Sequence, residues 1–322
     1  MDDGLPLTVL RLRFRARTRP QLGGFPGAVW RGALGAQLRE QVCATRLERC
    51  SDCPVARQCP YPVLFETVVP EAPASALLNH NGRTTPPFVL VPDLAEQSRA
   101  KDEVTVGLNL VGQTPRNAAL LVRALAIAAQ RGLGRTRSSL EWCAVEQADL
   151  ARTRGPGEHA WRSLEREALS ESLAPVAIPP VPAAPTAVDI QFLSPLRMRI
   201  RGRYVGPREF EPLSFVRGVL RRATHLGASH CPAFDDTRLA ALARDIRALH
   251  LVASDLRWED RRRYSARQGR NVPMGGLVGR VRVTGAALPA VWPWLWQAQW
   301  WHAGKGATMG LGRYHLIPAG GA

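Results

Sequence analysis

The hydrophobic pattern of this chain predicts one order of helices and strands and then predicts it again, and a duplicated order leaves few folds open. The first copy opens with TVLRLRFRAR, where Val9, Leu10, Leu12 and Phe14 alternate with Arg11, Arg13 and Arg15 as in a half-buried strand. Helical spacing follows in AVWRGALGAQLREQV, then two strand-like runs, PFVLVP and EVTVGLNLVG. RNAALLVRALAIAAQ predicts a helix entered at Pro115 and stopped by Gly132, with Leu120, Ala124, Leu125 and Ala128 on its apolar face; LEWCAV is a last strand. In the second copy, DIQFLSPLRMRIRGR reads as a long basic strand or a strand pair and SFVRGVLRRATHL as a helix. DLRWEDRRRYSARQ and GGLVGRVRVTG read as strands, LPAVWPWLWQAQWW as a helix and RYHLIP as the final strand. A helix over DTRLAALARDIRALHL is an insertion relative to the first copy.

Each half therefore reads β-α-β-β-α-β, and the expected fold class is α+β with two tandem ferredoxin-like domains. The boundaries fall at 1–154 for the first domain, with a cysteine-rich insertion at 43–59, and at 188–322 for the second. A linker at 155–187 is built around the proline-rich APVAIPPVPAAPTAV. A length of 322 residues suits two domains, each with its own core.

Charge narrows the partner class. Forty-three basic against 27 acidic residues leave a formal charge of +16, the sign that attracts phosphate polymers. Nearly every basic residue is arginine; Lys101 and Lys305 are the two lysines. No apolar run reaches the ~18 residues of a membrane span, and the acidic start MDDGLPLTVLRLRF has no signal-peptide core. No membrane association and a cytoplasmic location are expected.

The charge gathers at glycine-rich turns. GKGATMGLG, residues 304–312, joins the last helix to the last strand of the second copy, and RGLGRTR holds the same place in the first. Glycine lets a backbone approach a ligand closely, and arginine recognises phosphate with two parallel hydrogen bonds. Gly304, Gly306, Gly310 and Gly312, with Arg131, Arg135 and Arg313, are therefore expected RNA contacts, although tight turns alone would account for Gly132 and Gly304. Arg263 and Arg267 belong to a denser arginine cluster around Tyr264, and Arg31 on the first helix extends the basic surface. Trp292, Trp296 and Trp300 share one helix face and are expected in the core, with Trp294 or Trp301 exposed for stacking.

RYSARQGRNVPMGGLVGRVRVTG followed by WWHAGKGATMGLGRY resembles the C-terminal signature of the CRISPR-associated endoribonucleases that process precursor crRNA, a family of the RAMP superfamily. WRGALG, CPYPVLFE, PPFVLVP, LVRALAIAAQRGLGRTR and FLSPLRMRIRGR fall in that family's order, so the resemblance spans most of the chain. It implies two ferredoxin-like domains, recognition of CRISPR repeat RNA, and one metal-independent cut by a ribose 2′-hydroxyl that leaves a 2′,3′-cyclic phosphate. The alternative is a RAMP-type crRNA-binding subunit of a CRISPR effector complex, without catalysis.

Such a reaction needs a base for the 2′-hydroxyl, an acid for the departing 5′-oxygen and a cation for the phosphorane. Many members of the family place a histidine on or just after the first helix, whereas the first histidine here is His80, beyond the cysteine segment. The catalytic candidates are His302 beside the glycine loop, His80 in a polar loop, Lys305 within the glycine loop and Tyr264 among the arginines. Lys305 stands out because a compact ammonium has been kept in a chain that otherwise uses guanidinium.

Cys43, Cys50, Cys53 and Cys59 form a C-x6-C-x2-C-x5-C set. Four thiols so close in a reducing compartment suit a structural zinc ion; an iron–sulfur cluster and unliganded thiols are the alternatives. No cofactor is expected in the cut itself.

Overall fold

The structure, a computed structural model, describes residues 4–18, 20–66, 85–92, 102–231, 234–265 and 270–319. The N-terminal alternation becomes β1 (Leu7–Ala16). Leu10, Leu12, Phe14 and Ala16 lie in a core with helices α1 (Pro26–Val42) and α2 (Pro115–Arg131), whereas Leu7 and Val9 lie in a second core built mainly by the C-terminal half. The arginines between them are answered by carboxylates: Arg11 meets Glu146 at 2.5 Å, Arg13 meets Glu103 at 2.8 Å and Arg15 approaches Asp102 at 3.9 Å. The arginine face of β1 is therefore an ion-paired sheet face.

β1 pairs antiparallel with β3 (Glu103–Val111) and β4 (Leu140–Ala148). With β2 (Phe88–Pro92) and β5 (Trp161–Ser163) the first sheet runs β2-β3-β1-β4-β5. The second contains β6 (Ala187–Leu196), β9 (His250–Glu259), β12 (Gly276–Thr284) and β13 (Tyr314–Pro318) in the order β13-β6-β12-β9. Without β5 the two orders coincide: the fourth strand of each unit flanks its first, with the third and second on the other side. Both units are ferredoxin-like, as the duplicated order predicts.

The differences from the sequence reading have local causes. β5 lies within 155–187, so part of the expected linker is a fifth strand of the first sheet. The long basic run after Asp189 stops at Leu196 and folds back through Arg201 (φ 48°) and Gly202 (φ 84°) as the hairpin β7 (Arg199–Ile200) and β8 (Arg203–Tyr204). Helix α3 (Pro212–His230) follows. The inserted helix α4 (Asp236–Asp245) ends six residues before its expected limit, because His250 and Leu251 are taken into the ladder with β12. DRRRYSAR has no apolar alternation to bury; the chain leaves the sheet after Glu259, and β10 (Arg262–Ser265) pairs with β11 (Arg270–Pro273) as a separate ribbon.

The largest departure is α5 (Leu288–Trp301), whose five tryptophans are all buried, Trp294 and Trp301 included, at 7% and 1% exposure. The helix is covered on one side by its own sheet, where the Tyr314 hydroxyl donates to Leu295 O, and on the other by the first unit. There Asn109 Nδ2 donates to Trp300 O at 2.7 Å, and Leu7, Val9, Val89 and Val111 share the tryptophan core. A helix apolar all round has no wet face on which to display a stacking ring. The proline segment crosses it too: the Trp296 and Trp292 indoles donate to Pro180 O and Pro182 O at 2.9 and 2.8 Å. Among the described residues no helix is long and apolar enough to cross a membrane.

Truncating Trp300, 1% exposed and in contact with both units, should cost about 3–5 kcal/mol. Denaturant unfolding of Trp300→Ala would show this as a lower midpoint; an unchanged midpoint would mean that α5 does not join the two halves.

Candidate nucleic-acid interface

Three elements meet where α1 begins, and small residues let them do so. Pro26 starts the helix with a fixed φ, and no side chain caps its first turn. Gly27 follows; a Cβ there would stand 1.7 Å from Met309 O in the glycine loop. Just upstream, a Cβ on Gly24 would stand 1.9 Å from Arg262 O in the β10–β11 ribbon. Phe25, between the two glycines, is buried with Met274 and Leu311 in a small core that links helix, ribbon and loop.

One turn into α1 this junction turns polar. Arg31 Nε donates to Thr308 Oγ1 in the glycine loop at 3.2 Å, and its guanidinium lies over the Phe65 ring, 4.3 Å from the centroid. Burial first, and then the charge of Arg263, lower the pKa of Arg31. Arg263 keeps its Nε buried and without a hydrogen-bond partner. Neither guanidinium makes an ion pair among the described residues, unlike Arg11, Arg13, Arg280 and Arg282, which all face carboxylates. Two repelling, partly desolvated cations beside a glycine loop form a place where an anion such as a phosphate diester is favoured.

The glycine loop itself is organised differently from the expected open cradle. Gly304, Gly306, Gly310 and Gly312 all have positive φ, between 67° and 91°. At Gly312 a side chain would meet Ala303 O at 1.8 Å, so the loop closes on its own base. Most of its amides bond inward: Lys305 N to Arg197 O, Met309 N to Gly306 O, Gly310 N to Ala307 O and Gly312 N to Pro195 O. The density of glycine therefore serves the turn itself, and the groups left to face a ligand are side chains, Arg31 and Thr308 on one flank and exposed Lys305 on the other.

Other expected site residues are dispersed. His302 caps α5 at φ 57°, is 1% exposed, and has Nδ1 without a partner; burial, then Arg313 and Arg222, hold its pKa well below the usual histidine value. A proton acceptor sealed from solvent does not reach an RNA hydroxyl in this arrangement, so the geometry argues against His302 as the base. Arg313 is half-buried and lines, with His302, His159 and Arg11, a cavity of about 430 Å³ between the two units. Arg131 pairs with Glu40 on exposed helix faces, and Arg135 donates its backbone amide to Gln21 O. Tyr264 stands opposite Asn271 in the ribbon. The Tyr264 side chain, His80 and Arg267 lie outside the described residues. Sequence reading missed Thr308 and Gly27; the Pro26–Gly27 pair at a helix start was the available signal for close approach.

Cys43, Cys50, Cys53 and Cys59 border one cavity of about 210 Å³, and Thr45 Oγ1 lies 3.5 Å from Cys53 Sγ. Among the described residues, however, no three thiol, imidazole or carboxylate groups converge as a metal shell. The four thiols share this cavity without closing on a common centre in this arrangement.

Two consequences are measurable. His230, whose Nε2 donates to Thr85 O at 2.6 Å, is lowered to about 4 by burial, and burial also holds His302 well below the usual histidine value. The unfolded chain takes up protons below about 6.5, and the folded chain resists. Stability present above that pH is then lost as pH falls toward about 4, by up to about 1.4 kcal/mol per pH unit for each histidine. Denaturation midpoints measured across this range should fall accordingly, and a flat profile would contradict the burial. Gly27→Ala should destabilise by about 1–3 kcal/mol in spite of alanine's better helix propensity, because the loop carbonyl must move. A stabilised variant would show the loop free to shift.

A family profile described as an N-terminal domain matches residues 5–169, and that of the CRISPR-associated endoribonuclease Cas6 matches residues 190–314. No curated protein matches the sequence. Among solved structures, a Thermus thermophilus Cas6 in its product complex superposes with a TM-score of 0.56 at 18% identity, over 97% of this chain and 99% of that one. A second Cas6 product complex gives 0.50 at 16% identity, over 97% and 99%. A partial Cas6-RT-Cas1–Cas2 complex gives 0.50 at 13%, over 98% of this chain and 46% of that one. At these identities the superpositions speak for the fold, and the profiles for the lineage. Residues 190–314 are thus a domain of the CRISPR-associated endoribonuclease Cas6 family, in a chain whose fold superposes along nearly its whole length on solved Cas6 structures.

Proposed function

We propose that this chain cuts CRISPR repeat RNA without a metal ion, by attack of a ribose 2′-hydroxyl on the neighbouring phosphorus. The P–O5′ bond breaks, leaving a 2′,3′-cyclic phosphate upstream and a 5′-hydroxyl downstream. The observation that carries the reading is the pair Arg31 and Arg263, cations with no ion-pair partner among the described residues, at the meeting of α1, the glycine loop and the arginine ribbon. Charge fixed there before the reaction stabilises the dianionic phosphorane more than the singly charged ground state. Lys305 is the proposed proton donor to the leaving 5′-oxygen, since an ammonium can release a proton and a guanidinium does not. His80 and Tyr264 are the proposed bases.

A second reading, RNA binding without cleavage, is favoured by one feature: among the described residues no histidine stands at this junction. One assay separates the two. Repeat RNA incubated in EDTA should yield a single cut and a cyclic phosphate end, and a 2′-deoxy nucleotide at the cut should block it. Lys305→Ala and Arg31→Ala should each slow single-turnover cleavage by about 100-fold or more, and Lys305→Ala should slow it far more than it weakens binding. Lys305→Arg should fail to rescue. Tight binding with no product would establish the second reading, and cleavage of the deoxy substrate would overturn the mechanism.

A further inference from the structure

On the flank of the glycine loop away from Arg31, the base of the loop, the β6–β7 junction and α3 enclose a pocket of about 210 Å³. Arg197, Arg199, Arg221, Arg222, His225 and Lys305 line it, and no carboxylate does among the described residues. In a sheet protein that answers Arg11, Arg13, Arg280 and Arg282 with acids, six cationic or basic groups converging unanswered is a built feature.

The bonding of these groups points the same way. Arg222 donates Nε to Trp301 O at 3.0 Å, which fixes its guanidinium against α5, yet its Nη2 is buried with no partner. Arg197 is held by the Tyr204 hydroxyl at 2.7 Å, and its Nε is buried and unpartnered as well. Burial of a donor without an acceptor is costly, and burial of a cationic donor more so. An anion in the pocket would supply the opposite charge that its lining lacks among the described residues. The guanidiniums are already positioned by other bonds, so little side-chain freedom is lost when it binds.

We infer that this pocket is a phosphate-binding subsite, which takes a phosphodiester of the bound RNA beside the one at Arg31 and Arg263. The assignment to RNA rests on the RNA-processing reading above; the affinity for phosphate does not. Lys305 links the two places, because it lines this pocket while its loop continues to Thr308 and Arg31.

His225 offers a probe, since burial, then Arg221 and Arg222, lower its pKa. Titrating the full chain with inorganic phosphate should move the His225 imidazole resonance saturably and raise its pKa, as an anion offsets the arginine charges. Gly218 lines the pocket from α3, and a Cβ there meets nothing within 4 Å. Gly218→Glu should therefore fold, place a carboxylate in the pocket and abolish the phosphate response, whereas Gly218→Ala should keep it. No saturable response in the native chain, or one that survives Gly218→Glu, would overturn the subsite.

Repeat RNA with a 2′-deoxy nucleotide at the cut then identifies the source. Displacement of phosphate by this RNA, with a loss of about tenfold in RNA affinity and a salt slope shallower by about one in Gly218→Glu, is the expected result. RNA and phosphate bound together would overturn the assignment to RNA and leave a site for free phosphate. Neither arm requires cleavage, so failure of the catalytic reading and failure of the subsite remain distinguishable.

Discussion

Burial of α5 on every side is the constraint from which most of this architecture follows. Five indoles on fourteen residues cannot be covered by a single four-stranded sheet, and the outer face of the first unit supplies the second wall. That requirement explains why β1 is buried on both faces at Leu7–Leu10 and becomes one-sided only at Arg11. It also fixes the C-terminal end of α5 against β3 through Asn109, which determines where the glycine loop emerges. The loop's position over α1 is thus set by packing many residues away from it.

The formal charge of +16 is unevenly distributed in its effects. Many arginines are anchored to carboxylates across a ladder, the clearest case being Asp189, almost fully buried between Arg280 and Arg282. Among the described residues, the guanidiniums with a buried nitrogen and no partner for it stand on the two flanks of the glycine loop, Arg263 beside Arg31 toward α1, and Arg197 and Arg222 toward α3. Exposed charge in water contributes little on its own. Desolvated charge whose donors lack acceptors is the kind that selects a polyanion.

The duplicated fold was legible because period-2 and period-3.6 patterns record which face is buried, and both units bury one face of each strand and helix. The pattern misled where burial was two-sided. On α5, helical spacing singled out Trp292, Trp296 and Trp300 as core and could not reveal that Trp294 and Trp301 would be covered by Phe234 and the first unit. His302 looked accessible because glycines surround it in sequence, but those glycines tighten the turn that seals it. Arg31 and Lys305 could be picked out by residue type, whereas the Arg31–Thr308 contact joins positions 277 residues apart, which no local pattern records. The spacing of the four cysteines brings them to the border of one cavity, which local sequence alone could suggest.

The crossing of the proline segment over α5 has a logic in hydrogen-bond polarity. A prolyl residue carries a carbonyl and no amide hydrogen, so a run of prolines is a ribbon of acceptors. Indole is its complement, a ring with one donor and no acceptor. Trp292 and Trp296 are met by Pro182 and Pro180 in that sense, and each buried N–H is answered without bringing in another donor that would itself need a partner. A glycine–serine chain of equal length would span the same distance but would bring amide hydrogens into the apolar wall of the helix. The segment between the two units therefore acts as a dry seam, matched to α5 by what it lacks as much as by its reach.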